Sequence, residues 1–196
     1  MNKPVVILVL IVVLCIIYYF YRGSYFTGKL DKKYTREQLV KNFNEHENDF
    51  TELVMLFNTY VYKKKEYNVS FGLGNGGRIS LVLKPTVIDP ASKIIGGEDL
   101  ELGSAKLDTA LLSLGWTKDT AKKIAEKLDR IKCDWIRTTE IYANPIEIYP
   151  NQKGWGSFTY RVFEYPLSDS LIQIHGRPIS NSDLGKRTFI DYSSAL

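Results

Sequence analysis

Apolar positions follow three different patterns along this chain, one unbroken run and two periods, and each predicts a different element. The run beginning at Pro4 and ending at Tyr21 holds no charged residue, and from Val5 to Ile17 it is aliphatic except for Cys15. At about 1.5 Å per residue such a helix reaches about 27 Å, close to the ~30 Å of a bilayer hydrocarbon core. After a mixed stretch over residues 23–34, Leu39, Val40, Phe43, Phe50, Leu53, Val54, Phe57, Tyr60 and Val61 recur every three or four residues. Thr35 and Gln38 supply a capping box ahead of them, and together they predict one long amphipathic helix over about 36–62. His46 and Glu47 interrupt its apolar stripe, either as a polar pair aimed into a cleft or, the favoured alternative, because the first turns run past the edge of the core.

The period then changes to two. Tyr67, Val69, Phe71 and Leu73 alternate, Asn75 and Gly76 mark a turn, and Ile79, Leu81 and Leu83 alternate again, which predicts a β-hairpin. The stretch that follows, with Pro85, Pro90, Gly96 and Gly97, reads as a connecting loop. Helical spacing returns with Leu107, Ala110, Leu111 and Leu114, ending at Gly115, and again from Thr117 with Ala121, Ile124, Ala125, Leu128 and Ile131 on one face. The opposite face of that second helix carries Lys118, Lys122, Lys123, Lys127, Arg130 and Lys132 and reads as solvated. The last third predicts four strands, "CDWIRTTEIYA", "PIEIYP", "GSFTYRVFEY" and "KRTFIDY". A hairpin loop containing Trp155 separates the second from the third. A helical turn from Ser168 and a long loop to about Gly185 separate the third from the fourth, and long loops in compact domains often carry function.

These elements place the chain in the α+β class: an N-terminal transmembrane helix, then one long and two shorter helices packed on a mainly antiparallel sheet. The expected organisation is an anchor over residues 1–22, a linker over 23–34 and one globular domain over 35–196. Composition agrees, since 13 tyrosines and 9 phenylalanines among 196 residues supply the buried area that offsets chain entropy.

The aromatic cluster Tyr18, Tyr19, Phe20 and Tyr21, followed by Arg22, suits a headgroup boundary. No small-residue cleavage pattern follows it, and Leu14 before Cys15 is unlike a lipid-attachment site, so the run is expected to remain as a single-pass anchor in the lipid bilayer. The expected location is a bacterial inner (plasma) membrane. Cations on the domain side favour a cytoplasmic domain by the positive-inside rule, whereas the short basic N-terminus is also how outward-facing proteins begin.

A formal charge of +4, spread over several segments, argues against nucleic acid as a partner. The string GLGNGG satisfies a phosphate-loop pattern, but a strand and not a helix follows it, so no nucleotide is expected. Cys15 and Cys133 form no metal or disulfide pattern, and no metal or other cofactor is expected.

The best catalytic constellation is His175 as a base with Asp169 or Asp183 to orient it, beside Ser170 and Arg177. These are also ordinary turn and cap residues, which is the favoured reading. Of the three tryptophans, Trp116 and Trp135 are expected in the core and Trp155 at an exposed hairpin tip.

Three stretches carry a resemblance: "YTREQLVKNFNEHENDFTELV", "LGWT" with Cys133 beyond the second helix, and "GWGSFTYRVFEYPLSDSL". Over most of residues 35–171 the chain resembles small uncharacterised membrane-anchored or secreted proteins of Gram-negative bacteria. That resemblance implies an envelope setting and brings no activity and no catalytic residues with it. The expected function is a membrane-anchored, non-enzymatic interaction module with a protein partner, of the general type of an immunity or inhibitor protein, binding through Trp155, Arg177 and the long loop. The alternatives are a small membrane-anchored hydrolase using His175 and a structural envelope component.

Overall fold

The computed structural model describes residues 18, 34–61, 66–87, 93–139, 145–150, 156–175, 178–180 and 182–194. Seven strands form one antiparallel sheet: β1 (Tyr67–Leu73), β2 (Ile79–Pro85), β3 (Ile95–Leu100), β4 (Cys133–Thr138), β5 (Ile146–Pro150), β6 (Gly156–Val162) and β7 (Thr188–Ser194). Their spatial order is β3-β2-β1-β4-β5-β6-β7. Two meanders therefore lie side by side, β1 to β3 running outward one way and β4 to β7 the other, with β1 against β4 at the centre. The connection between the meanders carries helices α3 (Ala105–Leu114) and α4 (Lys118–Arg130).

The capping box at Thr35 forms as the spacing predicts, opening α1 (Arg36–Glu45). The single long helix does not: the chain leaves helical geometry at His46, with φ −123° and ψ 21°, before α2 (Glu47–Val61) begins. An unbroken helix would hold Phe43 and Phe50 about 10.5 Å apart along its axis. Across the bend their ring centroids are 5.1 Å apart, and both rings lie against Tyr160, at 6.5 and 4.9 Å. Leu39 and Phe43 are fully buried, so the first turns do not run past the core. His46 faces Asp49, its Nδ1 3.8 Å from Oδ2.

One face of the sheet, with Val69, Phe71, Leu81, Leu83, Ile136, Ile148 and Tyr160, meets the helices in the main core. Trp116 joins it between Phe57 and Phe71, with centroids 6.0 Å from each. A polar network is buried there too. The Tyr160 hydroxyl donates to the Leu39 carbonyl at 2.9 Å and accepts from Asn42 Nδ2, which also donates to the Ile131 carbonyl at 2.9 Å. That network holds the first half of the bent helix to the end of α4. The basic side of α4 is only partly solvated, because Lys127 pairs with Asp49 and Glu52, and Arg130 with Asp49, tying α4 to α2.

The stretch read as a connecting loop contains β3, paired to β2 from Leu83↔Ile95 to Ile79↔Leu100. Gly96 and Gly97 punctuate the sequence because β3 is a tightly fitted edge strand and not because the chain turns there. Gly96 has φ 88°, and a Cβ on it would lie 1.9 Å from the Leu81 carbonyl oxygen. Among the described residues no helix is long and apolar enough to cross a membrane, and the expected anchor lies outside the described residues except for Tyr18.

Candidate functional site

Strand alternation that sends Phe71, Ile136, Ile148 and Tyr160 into the core sends their neighbours to the opposite face. The pairs Gly72↔Trp135, Ser70↔Arg137, Trp135↔Tyr149, Arg137↔Glu147 and Glu147↔Arg161 all lie on that open face. Trp135 is there and not in the core, a correction to the sequence expectation. The reason is a bulge between Cys133 and Trp135, which shifts the alternation so that the small apolar Cys133 is buried and the indole is partly exposed.

The pose of the indole follows from Gly72. A Cβ built on that glycine would sit 2.5, 2.6 and 2.7 Å from Trp135 Cδ2, Cε2 and Cε3. Cδ2 and Cε2 are the fused, interior carbons of the ring, and an approach from the edge would meet rim atoms first. The ring therefore lies face down on the glycine, which leaves its rim and other face to account for its partial exposure. Glycine inside a strand sacrifices about 0.5–1 kcal/mol of stability and permits close approach of another group, which is its use here.

Next to the indole runs a ladder of alternating charge across four strands. The Glu147 carboxylate, 1% exposed, accepts from Arg137 Nε at 2.8 Å and from Arg161 Nε at 2.9 Å, and the Tyr149 hydroxyl donates to it as well. Arg161 Nη1 also pairs with Asp191 on β7. The Arg137 guanidinium lies 4.9 Å from the Tyr149 ring centroid, a cation–π arrangement. Burial alone would raise the Glu147 carboxyl, but the hydrogen bonds from Tyr149, Arg137 and Arg161, with the charge of Arg137, outweigh it and hold the group below its ordinary value. Burial, then the bond to Glu147 and its charge, raise Tyr149, so it is a neutral phenol at physiological pH. The two arginines and two carboxylates compensate one another on this surface. At its β7 end Phe189 is covered, meeting Phe163 edge to face at 5.6 Å.

Of the residues expected to carry function from the sequence, the structure describes only part. Trp155 and Arg177 lie outside the described residues, as does the His175 side chain. Asp169 opens α5 (Asp169–His175) and is exposed, and His175 closes it. Six residues of helix place those two positions about 9 Å apart along the axis. Asp183 is exposed in a turn, where its backbone carbonyl accepts from Arg187 Nε.

The long loop is held by its own turn chemistry. Ser182 N donates to Ser180 Oγ, Gly185 N donates to Ser182 Oγ, and Arg187 Nη1 donates to the Phe163 and Glu164 carbonyls at 3.1 and 2.7 Å. Cys133 is buried, and burial followed by the nearby Asp134 charge pushes its thiol well up, away from nucleophilic chemistry. Among the described residues no three His, Cys, Asp or Glu side chains gather as a metal site.

What sequence reasoning missed is the surface of Trp135, Arg137, Glu147, Tyr149 and Arg161. Its signal was the polar half of each alternating strand, as in "WIRT", "IEIYP" and "TYRV". The order in which those strands lie side by side was the missing information. Compared with protein-family models, curated proteins and solved structures, the chain has no match.

Proposed function

We propose that this protein is a non-enzymatic binding module, held at a bacterial membrane by the apolar run from Pro4 to Tyr21, which engages its partner through the open face of the sheet. One observation carries the second half of this reading: a tryptophan laid flat on a strand glycine, with Tyr149 and Arg137 beside it. Trp, Tyr and Arg are the residue types that dominate binding energy at interfaces. Here they share one surface whose geometry depends on a glycine that the strand itself does not favour. The anchor half rests on the length and apolarity of the N-terminal run.

Two experiments test the reading. With the full chain in membranes, a photoreactive residue at Ser70, next to Arg137 on the open face, is expected to yield adducts, whereas one at the exposed Leu112 on α3 is not. Trp135→Ala is expected to suppress the Ser70 adducts, and equal labelling from both positions would overturn the assignment of the face. Washing membranes with alkaline carbonate is expected to leave the full chain in the pellet and to release a chain lacking residues 1–22. Release of both would remove the anchor.

A further inference from the structure

We propose that the partner recognised by the open face is a neutral glycan, one pyranose ring of which seats on the outward face of Trp135. This deepens the binding-module reading and rests on it. The choice of ligand chemistry comes from the balance of charge and the shape of the platform.

Arg137 and Arg161 are both bound to Glu147, and Arg161 also to Asp191, so the ladder offers no uncompensated cation to a polyanion such as a nucleic acid. A cationic segment finds its carboxylate partners already occupied by the same arginines. A buried apolar side chain from a protein partner needs apolar walls, whereas the side chains around the indole on this face are mostly polar, Tyr149, Arg137, Ser70 and Ser80, with Val82 beyond Ser70. What fits is a ligand with an apolar face and a polar perimeter. A pyranose ring is of that kind: its C–H face is slightly positive and complements the negative face of an aromatic ring, while its hydroxyls project around the ring's equator. The indole lies flush with the strands, so those hydroxyls would come level with Ser70 and with the half-exposed guanidinium of Arg137, which keeps its bonds to Glu147. A rigid platform of this kind loses little conformational entropy on binding.

The test uses the full chain in phospholipid nanodiscs free of glycolipid, on an array of neutral oligosaccharides: β-1,4-linked glucose and N-acetylglucosamine oligomers and α-1,4-linked glucans. The expected result is binding to at least one series, unchanged between low and moderate salt, because a neutral ligand releases no counterions. Trp135→Ala is expected to weaken it about 30-fold, the loss that removal of a central aromatic anchor produces, with Trp135→Phe in between. Leu112→Ala should change nothing, and matched melting curves show that the variants are folded. Binding confined to sulfated or acidic glycans, binding that falls steeply with salt, or equal binding by Trp135→Ala would each overturn the proposal. If no neutral glycan binds while the Ser70 probe captures a polypeptide in a Trp135-dependent way, the glycan assignment fails and the binding-module reading stands. If neither responds, both fail.

Discussion

Replacing Gly72 by alanine isolates the contact on which the open face depends. The three atoms nearest to the new Cβ are all indole carbons of Trp135, at 2.5 to 2.7 Å, about 1 Å inside ordinary contact distance. The indole is rigid, so it must tilt off the strand, and overpacking of this kind costs about 1–3 kcal/mol. In a domain of this size each kcal/mol lowers Tm by about 2–4 °C, so Gly72→Ala is expected to melt roughly 2–12 °C below the parent. The sign should reverse in a Trp135→Ala background. There the clash is gone, no positive φ burdens position 72, and alanine restricts the unfolded chain, which stabilises by about 0.4–1 kcal/mol. Chemical denaturation of the parent, both single variants and the double variant closes the cycle, with an expected coupling of about 1.5–4 kcal/mol. An equal cost of Gly72→Ala in both backgrounds would refute the flat pose of Trp135, and with it the platform.

Three further outcomes follow from the same structure. Glu147→Gln should cost about 2–4 kcal/mol at neutral pH, less than a fully buried ion pair because Arg137 is half exposed. Since the folded-state carboxyl titrates below its unfolded value, that contribution is complete above about pH 4.3 and is lost as pH falls through the lower folded value. Denaturation at neutral pH and near pH 3 should therefore show the gap between parent and variant narrowing on acidification, and a widening gap would contradict the sign of the shift. Tyr160→Phe removes the donor to the Leu39 carbonyl and the acceptor for Asn42, and urea denaturation should register a loss of about 1–2 kcal/mol. Arg187→Met removes one donor from each of the Phe163 and Glu164 carbonyls, so amide exchange should quicken over residues 182–187 while α2 and β1 keep their protection.

Local chemistry wrote much of this architecture directly into the chain. The Thr35 capping box, the Gly115 cap with φ 71°, the hairpin turn at Asn75 and Gly76, and the alternation in β4 to β7 all depend on interactions within a few residues. Such signals are visible without knowing what packs where. The α+β class and the antiparallel sheet follow from them. Tertiary structure decided the rest, because those features depend on partners distant in sequence. The helix breaks at His46 so that Phe43 and Phe50 can share Tyr160, more than 100 residues away. The Gly96 and Gly97 stretch is a strand because Leu81 lies beside it. Likewise Glu147 is an ordinary acidic residue in "IEIY" until β4 and β6 bring Arg137 and Arg161 to either side of it. Alternation alone places Glu147 opposite its core-facing neighbours, the bulge after Cys133 decides the side of Trp135, and only the register joins them into one surface, because cross-strand neighbours are set by pairing and not by sequence distance.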